Sequence, residues 1–77
     1  MKIKILGVEN ASRKELENKV KTAMKKLSVQ ADIQIIAAVD EILKHDITGI
    51  PALMVNDKIV AQKMIPDEAK VTSFLLS

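Results

Sequence analysis

The sequence predicts an α/β domain: a four-stranded mixed sheet with helices packed on it, in the order β-α-β-α-β-β-α. Three observations carry this. A polar–apolar alternation at the N-terminus passes into a long apolar stripe of helical spacing and then into a second strand-like run. Such a strand–helix–strand unit makes parallel neighbours joined by a right-handed crossover. Two apolar runs flank Asn56-Asp57, the pattern of a β-hairpin. The composition is 48% hydrophobic and 29% charged, with two Gly and two Pro, which is that of a packed globular chain.

Taken in order, Lys2-Ile3-Lys4-Ile5-Leu6 alternates and stops at Gly7, as a strand does. Ser12 and Glu15 then stand three apart, fitting a capping box, and Asn10 is a rival N-cap just before it. Leu16, Val20, Ala23, Met24 and Leu27 form one apolar stripe, so the first helix runs to about Leu27. Glu15–Lys19 and Glu17–Lys21 support it at i,i+4, each by roughly a few tenths of a kcal/mol. Ala31 to Ile36 reads as a second strand with Ile33 and Ile35 on one face. Ala37 to Asp46 reads as a shorter helix with Val39, Ile42 and Leu43 as its apolar face and Asp40 and Glu41 near its start, where the helix dipole favours acids. Thr48-Gly49-Ile50-Pro51 ends that helix. Ala52–Val55 and Lys58–Ala61 make the hairpin strands, and Pro66-Asp67-Glu68 opens a last helix buried through Val71, Phe74 and Leu75.

Seventy-seven residues make one domain, 1–77, with no internal repeat or low-complexity segment. A chain this short buries about 60–65% of its unfolded surface. With zero cysteines no disulfide can staple it, and thiol catalysis, iron–sulfur clusters and cysteine-ligated zinc are excluded. A single histidine argues against a His-rich metal centre, and no cofactor is implied. No apolar stretch reaches the roughly 18 residues that span a bilayer. The first residues lack the apolar segment of a secretion signal, so a cytosolic protein is expected, and the sequon Asn10-Ala11-Ser12 is then a chance match. Charge is segregated. Residues 1–27 carry net +5 and residues 28–77 net −3.

Two segments resemble the small thioredoxin/glutaredoxin-like proteins called redox-active disulfide proteins. One is Ile5-Leu6-Gly7, eight residues, then Leu16-Glu17. The other, more specific, is Thr48-Gly49-Ile50-Pro51-Ala52-Leu53-Met54-Val55-Asn56. The resemblance covers nearly the whole chain and implies a thioredoxin-like fold. It implies a cis-proline at Pro51, facing the start of the first helix, with backbone beside it that pairs with extended peptide. It also implies a Cys-X-X-Cys whose cysteines, counted without gaps from Gly7, fall at Asn10 and Arg13. Here that segment is Asn10-Ala11-Ser12-Arg13. Thiol–disulfide exchange needs one thiolate to attack and a second thiol to resolve the mixed disulfide. An amide and a guanidinium do neither.

The leading expectation is therefore a redox-inactive module that binds a protein or peptide along Asn10, Ala11, Ser12 and Arg13 on one side and Gly49, Ile50 and Pro51 on the other. The alternative is a thiol-independent enzyme or a binder of an anionic small ligand at the N-terminus of the first helix. Ser12 suits capping better than nucleophilic attack, since no base stands near it in sequence. His45 beside Asp46 suits a cation at a helix C-terminus better than a catalytic dyad. Met24, Met54 and Met64 fit core positions. Lys14, Lys21 and Lys25 share an outward stripe that lacks aromatic neighbours to stack bases, so a solvated helix face is favoured over nucleic-acid binding. An edge strand or the helix-free sheet face offers a route to a homodimer. Arg13 poses a question of its own, because the matching position in the family is partly buried. Either the helix start shifts so that Arg13 faces water, or it pairs with Glu9 or Glu17, or it takes an anionic ligand.

Overall fold

The computed structural model describes residues 1–76. Its elements are β1 (Lys2–Leu6), α1 (Ala11–Leu27), β2 (Asp32–Ile36), α2 (Val39–Leu43), β3 (Ala52–Val55), β4 (Lys58–Gln62) and α3 (Glu68–Leu76). The strands form one sheet in the order β2-β1-β3-β4. β1 runs parallel to β2, with Ile5 opposite Ile35, and antiparallel to β3, with Leu6 opposite Ala52. β3 and β4 form the antiparallel hairpin. Asn56 and Asp57 both have positive φ, 50° and 68°, which is the geometry a tight two-residue turn demands.

Alternation along the two central strands divides the core between the faces. Ile3 and Ile5 of β1 and Leu53 and Val55 of β3 meet Leu16, Val20 and Ala23 of α1 and Val71 and Leu75 of α3. On the other face Leu6, Ala52 and Met54 meet Ile42 of α2. All four residues of β3 are buried, as a strand covered on both faces requires. The polar alternation of β1 has the same origin. α2 is only five residues long and covers the Leu6 end of the sheet, so Lys2 stays exposed and Lys4 half-buried. Between Leu53 and Met54 the pairing with β4 slips, so that Ala61 and Ile59 oppose consecutive residues of β3. This bulge lets the adjacent Val60 and Ala61 both pack against the α1–α3 core.

α1 begins at Asn10, not Ser12. The Asn10 side chain accepts the Arg13 N–H at 2.9 Å, and Ser12 lies exposed inside the first turn. Asn10 wins because its backbone is extended (φ −158°), leaving its side chain free to fold over the first turn. The helix ends on Ser28 in the left-handed region, with the Val29 N–H bonded to the Met24 carbonyl at 3.0 Å. α2 is shorter than the expected 37–46. Ala38 remains extended and offers no side-chain cap, so the helix starts at Val39. Its C-terminus is closed by His45, beyond the last turn, whose Nδ1 lies 3.0 Å from the Glu41 carbonyl. Met24 and Met54 pack as core residues, whereas Met64 is exposed in the connection to α3. Phe74 is half-buried against the core. Asp67 caps α3 by accepting the Lys70 N–H at 2.8 Å.

The two rival caps are separable by mutation. Asn10→Ala is expected to cost about 1 kcal/mol in urea unfolding, and Ser12→Ala to leave stability within about 0.5 kcal/mol of the parent.

Candidate functional site

The site forms where β1 and β3 leave the sheet side by side. Leu6 is the last paired residue of β1 and stands opposite Ala52, the first of β3. Beyond Leu6, Gly7 is buried and donates its N–H to the Ile36 carbonyl at 3.0 Å, which fixes the point where the chain turns toward α1. Before Ala52 comes Pro51, and the Ile50–Pro51 peptide bond is cis.

At the start of α1, the Asn10 carbonyl takes the Lys14 N–H at 3.2 Å and the Asn10 side chain takes that of Arg13. The N–H groups of Ala11 and Ser12 have no acceptor among the described residues, and both residues are exposed. These are the ordinary unpaired donors of a helix N-terminus.

Arg13 is the unusual member. Its side chain is only 9% exposed. It turns back over Gly7, where an added Cβ would lie in ordinary contact with Arg13 Cγ at 3.5 Å, so the approach of the arginine stem does not itself demand glycine. The guanidinium donates through Nη1 to the Gly7 carbonyl at 3.3 Å, a long bond. Nε is buried with no partner. The ion pairs among the described residues are Lys4–Asp57, Lys26–Glu68 and Lys44–Glu41, and none includes Arg13. The side chain is thus buried and takes the Gly7 carbonyl, with neither Glu9 nor Glu17 paired to it.

On the proline side, Gly49 and Ile50 make no main-chain hydrogen bond among the described residues. Their loop is held from β4. Gln62 Oε1 accepts the Thr48 N–H at 2.8 Å, and the Lys63 N–H donates to the Pro51 carbonyl at 3.1 Å. Lys63 has φ 68°, and its stem crosses Gly49 so closely that a Cβ there would meet Lys63 Cγ at 2.3 Å. Gly49 is needed for that approach, not for an unusual backbone angle.

A cleft of about 460 Å³ adjoins this loop, lined mainly by Val8, Val39, Ile42, Leu43, Ile47 and Ile50. It joins the β1–α1 loop, through Val8, to the proline loop, through Thr48, Gly49 and Ile50. Asn10 to Arg13 lie beyond its wall rather than in it. Of the apolar face expected for α2, only Ile42 is buried, at 6% exposure. Val39 and Leu43 stand 59% and 76% exposed along the cleft. His45 and Asp46 also line it, but with no hydrogen bond between their side chains.

Comparison with known proteins matches the sequence to a family. The family model described as "Thioredoxin domain" matches residues 1–76. The chain belongs to the thioredoxin domain family. A thioredoxin of Methanothermobacter thermautotrophicus (strain Delta H) is 28% identical over 75 residues, covering 97% of each chain. No solved structure matches it.

In this thioredoxin-domain chain the first turn of α1 contains no sulfur, and the 77 residues contain no cysteine at all. The chain therefore cannot carry out thiol–disulfide exchange with its own side chains. The cleft residues Val39, Leu43 and Ile47 were not legible as a site. Their apolar character looks the same in sequence whether it faces core or solvent, and a short α2 decides it.

The register is testable by restoring thiols. Asn10→Cys with Arg13→Cys places two sulfurs one helical turn apart, within disulfide reach. The double variant is expected to oxidise to a reducible disulfide, read by mass shift after alkylation. A double variant that stays reduced under glutathione disulfide contradicts the register. Gly49→Ala is expected to destabilise by about 1 kcal/mol. Lys63→Ala should return most of that loss, a coupling that urea unfolding of the double-mutant cycle would read.

Proposed function

We propose that this protein is a cytosolic, redox-inactive thioredoxin-like module that binds an extended protein or peptide segment along the edge between the α1 N-terminus and the Gly49–Pro51 loop. The supporting observation is the unpaired main chain of Gly49 and Ile50 beside an apolar cleft. An extended segment needs both features. Free backbone donors and acceptors take its main chain, and alternate side chains drop into an apolar depression. Exposed Val39 and Leu43 give such side chains something to cover. The fold holds this edge in place, because both flanking strands are anchored in the core and the loop is tied to β4 by Gln62 and Lys63.

The reading assigns binding to Val8, Ile50 and the cleft, with Asn10, Ala11, Ser12, Arg13 and Pro51 framing it, and no chemical step. A peptide-display selection on the intact chain, followed by amide mapping in solution, tests it. Selected peptides are expected to move the amide signals of residues 8–13 and 49–52. Ile50→Asp, which puts a charge at the mouth of the cleft, should weaken them about tenfold. Peptides that bind elsewhere, or equally well to Ile50→Asp, would overturn it.

A further inference from the structure

We infer that the segment held by the cleft is basic: its apolar side chains enter the cleft, and lysines or arginines beside them meet the acids on the α2 side. The inference deepens the peptide-binding reading and rests on it. The cleft supplies the apolar half of the argument. Val39 and Leu43 stand one turn apart on α2, both exposed, and Ile50 of the proline loop lines the same cleft at 39% exposure. Large aliphatic groups grouped in a depression and left open to water are surface that an apolar occupant would cover.

Charge decides what flanks those apolar groups. Residues 37–50 supply most of the lining and carry Asp40, Glu41 and Asp46 against Lys44, net −2 with His45 counted as neutral, in a chain of net +2. Glu9 adds an exposed acid next to Val8 of the other wall. Lys44 answers Glu41 at 3.1 Å. Asp40, Asp46 and Glu9 are exposed and enter no ion pair among the described residues. Asp40 lies three residues before Leu43 on α2, so the two share a stretch of helix surface. Asp46 lines the cleft just past the C-terminus of α2, the end at which the helix dipole disfavours a negative charge. The dipole therefore accounts for Asp40 and Glu41 in the first turn but not for Asp46. Lys63 is the cation on the β4 side of the loop, its stem lying across Gly49, and neither Arg13 nor Lys14 lines the cleft. Lysine and arginine carry their charge on long apolar stems. A basic side chain next to an apolar one thus reaches the acidic rim while its stem covers Leu43. Such a rim selects among segments and speeds encounter more than it adds raw affinity.

Three peptides test it: acetyl-Lys-Leu-Lys-Val-Lys-amide and the same peptide with Gln or with Glu in place of Lys. Each is titrated into the isotope-labelled chain at about 10 mM and about 300 mM salt, and the amide signals of Val8 and residues 47–50 report occupancy of the cleft. At low salt the Lys peptide is expected to bind about five- to tenfold more tightly than the Gln peptide, with the Glu peptide weakest, and the spread should close at high salt. That order runs against the positive net charge of the chain, so attraction to the molecule as a whole cannot produce it. Asp40→Asn combined with Asp46→Asn should cut the Lys-to-Gln ratio to about twofold or less. Both side chains are exposed and unpaired, so the double variant leaves the packing intact. Cleft amides that respond alike to the three peptides, or most strongly to Glu, would overturn the basic occupant and leave the peptide-binding reading standing. So would a Lys preference that the double variant keeps. Cleft amides that none of the three peptides moves at millimolar concentration would overturn the peptide-binding reading and this inference with it.

Discussion

The burial of β1 between β2 and β3 is the constraint on which the rest of the structure depends. Three of its five residues, Ile3, Ile5 and Leu6, are wholly inaccessible, and they face opposite sides of the sheet. Ile3 and Ile5 hold α1 and α3 down, while Leu6 holds α2 through Ile42. A small domain without cross-links has few ways to anchor three helices, and a central strand loaded on both faces is an economical one. The end of that strand also fixes the site. Gly7 is pinned to Ile36, so the turn into α1, and Arg13 with it, starts from the end of the buried central strand.

Membership of the thioredoxin domain family and the absence of cysteine together describe a thioredoxin scaffold without the thiols that disulfide exchange needs. Two residues of the first turn of α1 act on the fold in opposite ways. Asn10 is the helix cap, a role with a purely local stabilising effect. Arg13 is a buried positive charge held by the Gly7 carbonyl alone, with Nε unpaired. Asn10 thus serves the fold, whereas burying Arg13 without an acid works against it.

Much of the fold was legible because the relevant signals are local. Alternation in Lys2–Leu6, the Leu16–Val20–Ala23 stripe and the Asn56-Asp57 turn each specify their element, and the observed boundaries of β3 agree residue for residue. Errors fell where two local signals competed or where the outcome depended on coverage by another element. Ser12 and Asn10 are both good caps, and backbone conformation chose between them. Val39, Leu43 and Met64 carry core chemistry but lie outside the area that five residues of α2 can cover. The slip opposite Leu53 and Met54 leaves no mark in β4 that periodicity can read. Of the candidate site, the resemblance pointed to the segments 10–13 and 49–51, and the cleft takes its lining from Gly49 and Ile50 but not from residues 10–13. Arg13's burial without an acid was not, because whether Glu9 or Glu17 reaches it is a matter of three-dimensional distance.

The attachment of the proline loop to β4 makes that loop a dependant of the sheet's margin. Thr48 and Pro51 are held by Gln62 and Lys63, at the end of a strand that has a neighbour on one side only. Marginal strands open more readily than central ones, since fewer bonds must break at once. Opening of the last β4 residues would free both anchors together. The side of the cleft formed by Thr48 to Ile50 thus depends on an outer strand, whereas Val8 across from it follows directly on the central strand.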